Sequence, residues 1–113
     1  RLHGRDDIVT PRVQAGATHS WQTYVVRIHR RDRVMRSMRD LGIECQIGSY
    51  ALHMHPGFAL DKTVSAPFNL PASTRLSQSL LALPLYPEML KTEQDEVVAT
   101  LTRIVEEVEE KLE

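Results

Sequence analysis

Apolar residues along this chain gather in a few runs whose spacing assigns each to strand or helix. Between residues 22 and 29, Tyr24, Val26 and Ile28 alternate with Val25 and Arg27. That alternation, with so many β-branched and aromatic side chains, predicts a strand with the first three on one face. Val34, Met35, Met38 and Leu41 then recur at helical spacing. Asp32 opens this helix as an N-terminal acceptor or first-turn acid, and Gly42 supplies the left-handed stop. Most of the arginines in this stretch fall on the opposite side. Ile43, Cys45 and Ile47 alternate again and predict a second short strand over 43–47.

Gly48, Pro56 and Gly57 break residues 48–63 into turns that contain His53 and His55. Asn69 and Pro71 read as a helix start, with Leu70, Leu76, Leu80 and Leu81 giving that helix a buried side. Leu83 to Tyr86, interrupted by Pro84 and followed by Pro87, reads as an edge strand or extended link. The last element is the clearest. Thr92 with Asp95 resembles a capping box with the shorter acid, and Glu93 adds favourable charge to the first turn. Val97, Val98, Leu101, Ile104, Val105, Val108 and Leu112 trace one apolar stripe, predicting a helix roughly 30 Å long from 92 to about 112. Glu107 and Lys111 are spaced as a charge pair. The stripe is too short for a coiled-coil seam and fits a core face. Together these elements predict an α/β fold: a small sandwich-like domain with a short sheet packed against about three helices. The pattern leaves open whether the strands pair antiparallel or through a crossover.

Composition narrows the class. With 113 residues and 12.9 kDa the chain is one domain. Its 42% hydrophobic and 26% charged residues exclude disorder and fibrous repeats. No apolar run approaches the roughly 20 residues of a membrane span, and Pro84 interrupts the longest, 80–85. Residues 1–15 carry Arg1, Arg5, Asp6, Asp7 and Arg12, so a secretory leader is not expected. The single cysteine, Cys45, excludes an internal disulfide and fits a reducing cytoplasm. The chain starts at Arg1 and not at methionine, as expected of a processed chain or a piece of a longer one.

Charge is balanced overall, at −1, but not along the chain. Residues 1–56 carry +4 and residues 57–113 carry −5. Arg27, Arg30, Arg31, Arg33, Arg36 and Arg39 form the basic run, while Glu106, Glu107, Glu109, Glu110 and Glu113 form the acidic one. The arginines read either as a phosphate-binding surface or as the solvated face of a helix. The lack of interleaved aromatics favours the second, so nucleic acid is not an expected partner. The acidic final helix is a candidate to cover part of the run. His53 and His55 would share one side of an extended segment and could ligate a metal, but no third ligand has supporting spacing. Ser49 lies near His53 without the glycine-rich elbow of a nucleophile, and the five glycines form no phosphate-binding loop.

Several segments, taken in order, carry a family resemblance. Trp21-Gln22-Thr23-Tyr24-Val25-Val26-Arg27-Ile28, then Arg31-Asp32, Leu41-Gly42-Ile43 and Gly48-Ser49-Tyr50-Ala51-Leu52-His53 form the first part. The run LLALPLYPEM (80–89) and the helix from Thr92 follow. Over roughly residues 8–105 this resembles the C-terminal small domain of DegT/StrS-type sugar aminotransferases, which are fold type I pyridoxal-phosphate enzymes. The resemblance implies that residues 1–113 are that small domain, without the large cofactor-binding domain. It implies a parent acting on nucleotide-linked keto sugars, in polysaccharide or antibiotic sugar biosynthesis, as a cytoplasmic homodimer. The partners it implies are the large domain of the same chain, the second subunit and the nucleotide sugar. Some relatives are described as regulators, so a non-catalytic regulatory or protein-interaction domain is the alternative.

The resemblance also distributes roles. Tyr50 matches the family's loop tyrosine and His53 a later histidine, making both candidates for hydrogen bonding to the sugar or its phosphates, or for tying down the loop. Ser49 stands where a further histidine is common, so that role does not carry over. Asp32 recurs in the family pattern, yet a short acid at a helix start explains it. None of Lys62, Lys91 and Lys111 matches the cofactor lysine, which belongs to the large domain. Pyridoxal phosphate is therefore expected in the full-length protein, with no cofactor, metal or catalytic residue in this chain.

Overall fold

Why Tyr24, and not Gln22, begins the first long strand is visible just upstream. The computed structural model describes residues 2–63 and 69–110, and in it Trp21 adopts φ 51°. Its backbone N–H donates to His19 Nδ1 at 2.8 Å. The rings of His19, Trp21 and Tyr24 stack in succession at 4.2 and 5.5 Å. This turn leads directly into β2 (Tyr24–Ile28). Val26 and Ile28 are buried and Arg27 is exposed, as the alternation predicts. A two-residue strand, β1 (Ile8–Val9), precedes it and pairs with its far end, Ile8 opposite Ile28.

Helix α1 (Arg31–Asp40) buries Val34 and Met38 and ends at Gly42, whose φ of 80° is the expected left-handed stop. The Ile43 N–H closes that turn onto the Met38 carbonyl at 3.0 Å. Strand β3 (Gln46–Ile47) is shorter than the alternation predicts, although Ile43 and Cys45 before it are still buried. A 3-10 turn (Leu52–Met54) and the single-turn α2 (Pro56–Ala59) follow.

The next element departs from the sequence expectation. Helix α3 (Pro71–Ser79) stops before Leu80, and β4 (Leu80–Leu83) takes the leucines assigned above to the helix. A short continuous apolar run has no periodicity to separate strand from helix. The sheet order is β1-β2-β4-β3, all antiparallel, so β4 is a central strand and not an edge. Leu81 and Leu83 are buried between neighbours on both sides. Pro84, which lacks an N–H, ends the ladder.

Helix α4 (Lys91–Glu110) begins one residue before the Thr92 box. The Leu90 N–H donates to Glu93 Oε2 at 2.7 Å, so Glu93 is the acid that reaches back. Glu93 also accepts the Tyr86 hydroxyl, which holds that phenol above its ordinary range. Asp95 sits one turn inside, paired with Lys91 at 3.5 Å. The Glu107–Lys111 pair lies outside the described residues, and Glu107 meets Arg103 at 3.1 Å.

Val97, Leu101, Ile104, Val105 and Val108 of α4 join Val34 and Met38 of α1 over Val26, Ile28, Leu81 and Leu83 of the sheet, and Leu2 completes this core. Arg5 ties the first residues to this layer, binding Asp7 and, at 2.8 Å, Glu106. The acidic side of α4 thus meets Arg5 in place of the α1 arginines. Among the described residues no helix is long and apolar enough to cross a membrane.

Candidate functional site

The loop carrying Tyr50 and His53 leaves the sheet at Gly48. A Cβ there would lie 2.5 Å from Val25 Cγ1 and 2.9 Å from Leu80 Cβ, so glycine alone fits between β2 and β4. Its N–H donates to the Leu80 carbonyl at 2.9 Å, extending the β3–β4 ladder by one bond. Ala51 is buried and holds the loop down. A side-chain bond fastens the following turn to α3: His53 Nε2 and Thr74 Oγ1 are hydrogen-bonded at 2.9 Å, while the Ser77 hydroxyl donates to the Thr74 carbonyl at 2.8 Å and lies 3.8 Å from Met54 Sδ.

Tyr50 and His53 therefore share a loop but differ in exposure. Tyr50 is 72% exposed, its hydroxyl facing solvent as a donor or acceptor. His53 is half-buried with one ring nitrogen engaged by Thr74, which leaves Nδ1 for any further bond. Nothing in the sequence marks Thr74, which lies 21 residues away. His55 caps α2: its Nδ1 accepts from the Gly57 N–H at 3.2 Å, so the neutral ring carries its proton on exposed Nε2. Leu52, Met54, Phe58 and Leu60 surround these polar groups as exposed apolar side chains.

Arg31 separates from the other arginines of the basic run. It is 5% exposed, with Nη1 and Nη2 donating to the Leu80 and Ser77 carbonyls at 2.8 Å each and Nε to Asp32 at 2.6 Å. Arg39 turns back onto the Cys45 carbonyl at 2.6 Å. Arg33 and Arg36 stay on the outer face of α1.

Among the described residues neither lysine, Lys62 or Lys91, lies where a pyridoxal-phosphate site could enclose the cofactor. Such a site needs a lysine for the Schiff base, an acid for the pyridine nitrogen and donors for the phosphate. Lys62 lies exposed in the loop after α2, Lys91 is 78% exposed and paired with Asp95, and Lys111 lies outside the described residues. Among the described residues no three His, Cys, Asp or Glu side chains gather as metal ligands.

Residues 1–102 match the model of the DegT/DnrJ/EryC1/StrS aminotransferase family. The chain is 31% identical over 98 residues to a dTDP-3-amino-3,4,6-trideoxy-alpha-D-glucose transaminase of Micromonospora megalomicea subsp. nigra, covering 84% of this chain and 25% of the relative. It is 29% identical over 94 residues to a pleiotropic regulatory protein of Geobacillus stearothermophilus, covering 82% and 25%. In fold it is similar to the crystal structure of DesV from S. venezuelae, with a TM-score of 0.80 at 22% identity, over 93% of this chain and 28% of that one. The chain spans about a quarter of the length of the curated relatives it matches.

Proposed function

Because the chain belongs to the DegT/DnrJ/EryC1/StrS aminotransferase family, we propose that it serves as the C-terminal small domain of a pyridoxal-phosphate-dependent aminotransferase acting on nucleotide-linked keto sugars. The observation that carries this reading is the coverage: nearly the whole chain matches about a quarter of a sugar transaminase. The cofactor, held by the rest of the protein, supplies the electron sink for amino transfer. This chain binds and orients. The Tyr50 hydroxyl hydrogen-bonds the sugar or its phosphates, and His53, fixed by Thr74, sets the loop and offers Nδ1. Leu52, Met54 and Phe58 pack against the large domain or the second subunit of a homodimer and exclude water from the site. The parent works in the cytoplasm, where the Cys45 thiol stays reduced.

The chain on its own neither holds the cofactor nor transaminates. Titration of the 113-residue chain with pyridoxal phosphate tests this directly. We expect no visible absorbance of a lysine Schiff base and no amino transfer, and a stable band that resists dialysis would overturn it.

A regulatory parent is the second reading, favoured by the similarity to a pleiotropic regulatory protein. A cofactor lysine in the segment preceding this domain separates the two: the enzyme requires it and a regulator does not.

A further inference from the structure

On the flank of α3 away from His53 lies a cleft of about 720 Å³. Arg27 and His29 wall it at the end of β2, Arg30 at the start of α1, and Arg75 and Ser79 on α3. Positions 72, 75, 76 and 79 share this side of the helix, whereas Thr74, which holds the Tyr50 loop through His53, lies on the other. The cleft is thus separate from the site described above, and its reading does not rest on the aminotransferase assignment.

Three guanidiniums line one concavity, and among the described residues none of them pairs with a carboxylate. The adjacent acid, Asp32, is bonded to Arg31. Like charges gathered in a recess repel, and an entering anion reverses the sign of that interaction. Arg30 is also held at φ 49° and ψ 40°, a left-handed conformation that glycine adopts freely and arginine does not. The buried Arg31 sets the shape, tying the start of α1 to the end of α3. Among the described residues that line it, His29 carries the one ring, and no Phe, Tyr or Trp offers bases a platform to stack on.

We propose that this cleft binds a compact phosphate-bearing anion of the diphosphate class, with Arg27, Arg30 and Arg75 as guanidinium donors and His29 as a further donor.

Inorganic pyrophosphate titrated into the 113-residue chain at low ionic strength, followed by amide NMR shifts, tests the proposal. The shifts should cluster at residues 27–30 and 72–79. Arg30→Gly relieves the backbone, so it should melt no lower than the parent sequence while weakening pyrophosphate roughly tenfold. Arg75→Gln, on an exposed helix face, should weaken it by a similar factor, and Arg36→Gln should not. Equal affinity for pyrophosphate and uridine diphosphate would identify the phosphates alone as the ligand. Tighter uridine diphosphate would identify a nucleotide, and either keeps the diphosphate as the recognised group. Shifts scattered over Arg33 and Arg36, unchanged affinity in Arg30→Gly and Arg75→Gln, or displacement of pyrophosphate by a single-stranded oligonucleotide with a steep salt dependence would overturn it.

Discussion

Arg31 shows how one side chain decides a boundary. Its guanidinium is buried, yet its three hydrogen bonds reach two main-chain carbonyls and a carboxylate that is itself 70% exposed. The charge is thus partly compensated at the protein edge, while the carbonyls at the end of α3 and the start of β4 gain strong donors. Arg31→Ala removes those donors and should lower unfolding stability by about 3 kcal/mol, measured by urea denaturation. Arg31→Lys should recover only part, because an ammonium lacks the planar fork. Cys45 behaves differently. It is fully buried, and desolvation pushes its thiol from an ordinary 9.0 up to about 11. Between those values the unfolded chain has released the proton and the native one has kept it, so stability falls as pH rises through about 9 to 11. Urea unfolding across that window should show the decline in the parent sequence and a weaker one in Cys45→Ala. The native thiol should also resist modification that proceeds at once in urea.

At the scale of elements, the sheet and the candidate loop meet at Gly48. Adding a methyl group there forces it against Val25 and Leu80, so Gly48→Ala should destabilise by about 1–3 kcal/mol in thermal unfolding, with β3 and the Tyr50 loop loosening first in hydrogen exchange. The same junction explains what the sequence conceals. The β2 alternation, the α4 stripe and the Gly42 stop are local patterns, and each is legible within its own segment. Whether Leu80 belongs to helix or strand depends on Arg31, which is 49 residues away, and on pairing with β2 and β3. No window of the sequence contains that information. Glu93 replaces Asp95 as the capping acid for a local reason that composition obscures, since the helix starts at Lys91 without a polar residue at its cap. Of the candidate site, Tyr50 and His53 were readable only through the family pattern. Thr74, which fixes His53, and Arg75, which faces the basic cleft, become visible only when α3 is folded beside the loop and β2.

For the whole molecule, a self-contained core coexists with surfaces suited to company. The sheet, α1 and α4 enclose the apolar residues, and Arg5 closes the N-terminal segment onto α4. The loop from Tyr50 to Leu60 instead leaves large apolar side chains in solvent, as expected of a domain that covers another. On the function proposed above, this division is that of a small domain acting beside a large one that holds the cofactor. Steady-state kinetics of amino transfer to a nucleotide-linked keto sugar, in the protein carrying this domain behind its large domain, tests that account most directly. Tyr50→Phe and His53→Ala should each raise the KM for the sugar about tenfold, the loss of one good hydrogen bond, while the cofactor absorbance and kcat stay unchanged. A KM unchanged by both substitutions would contradict it.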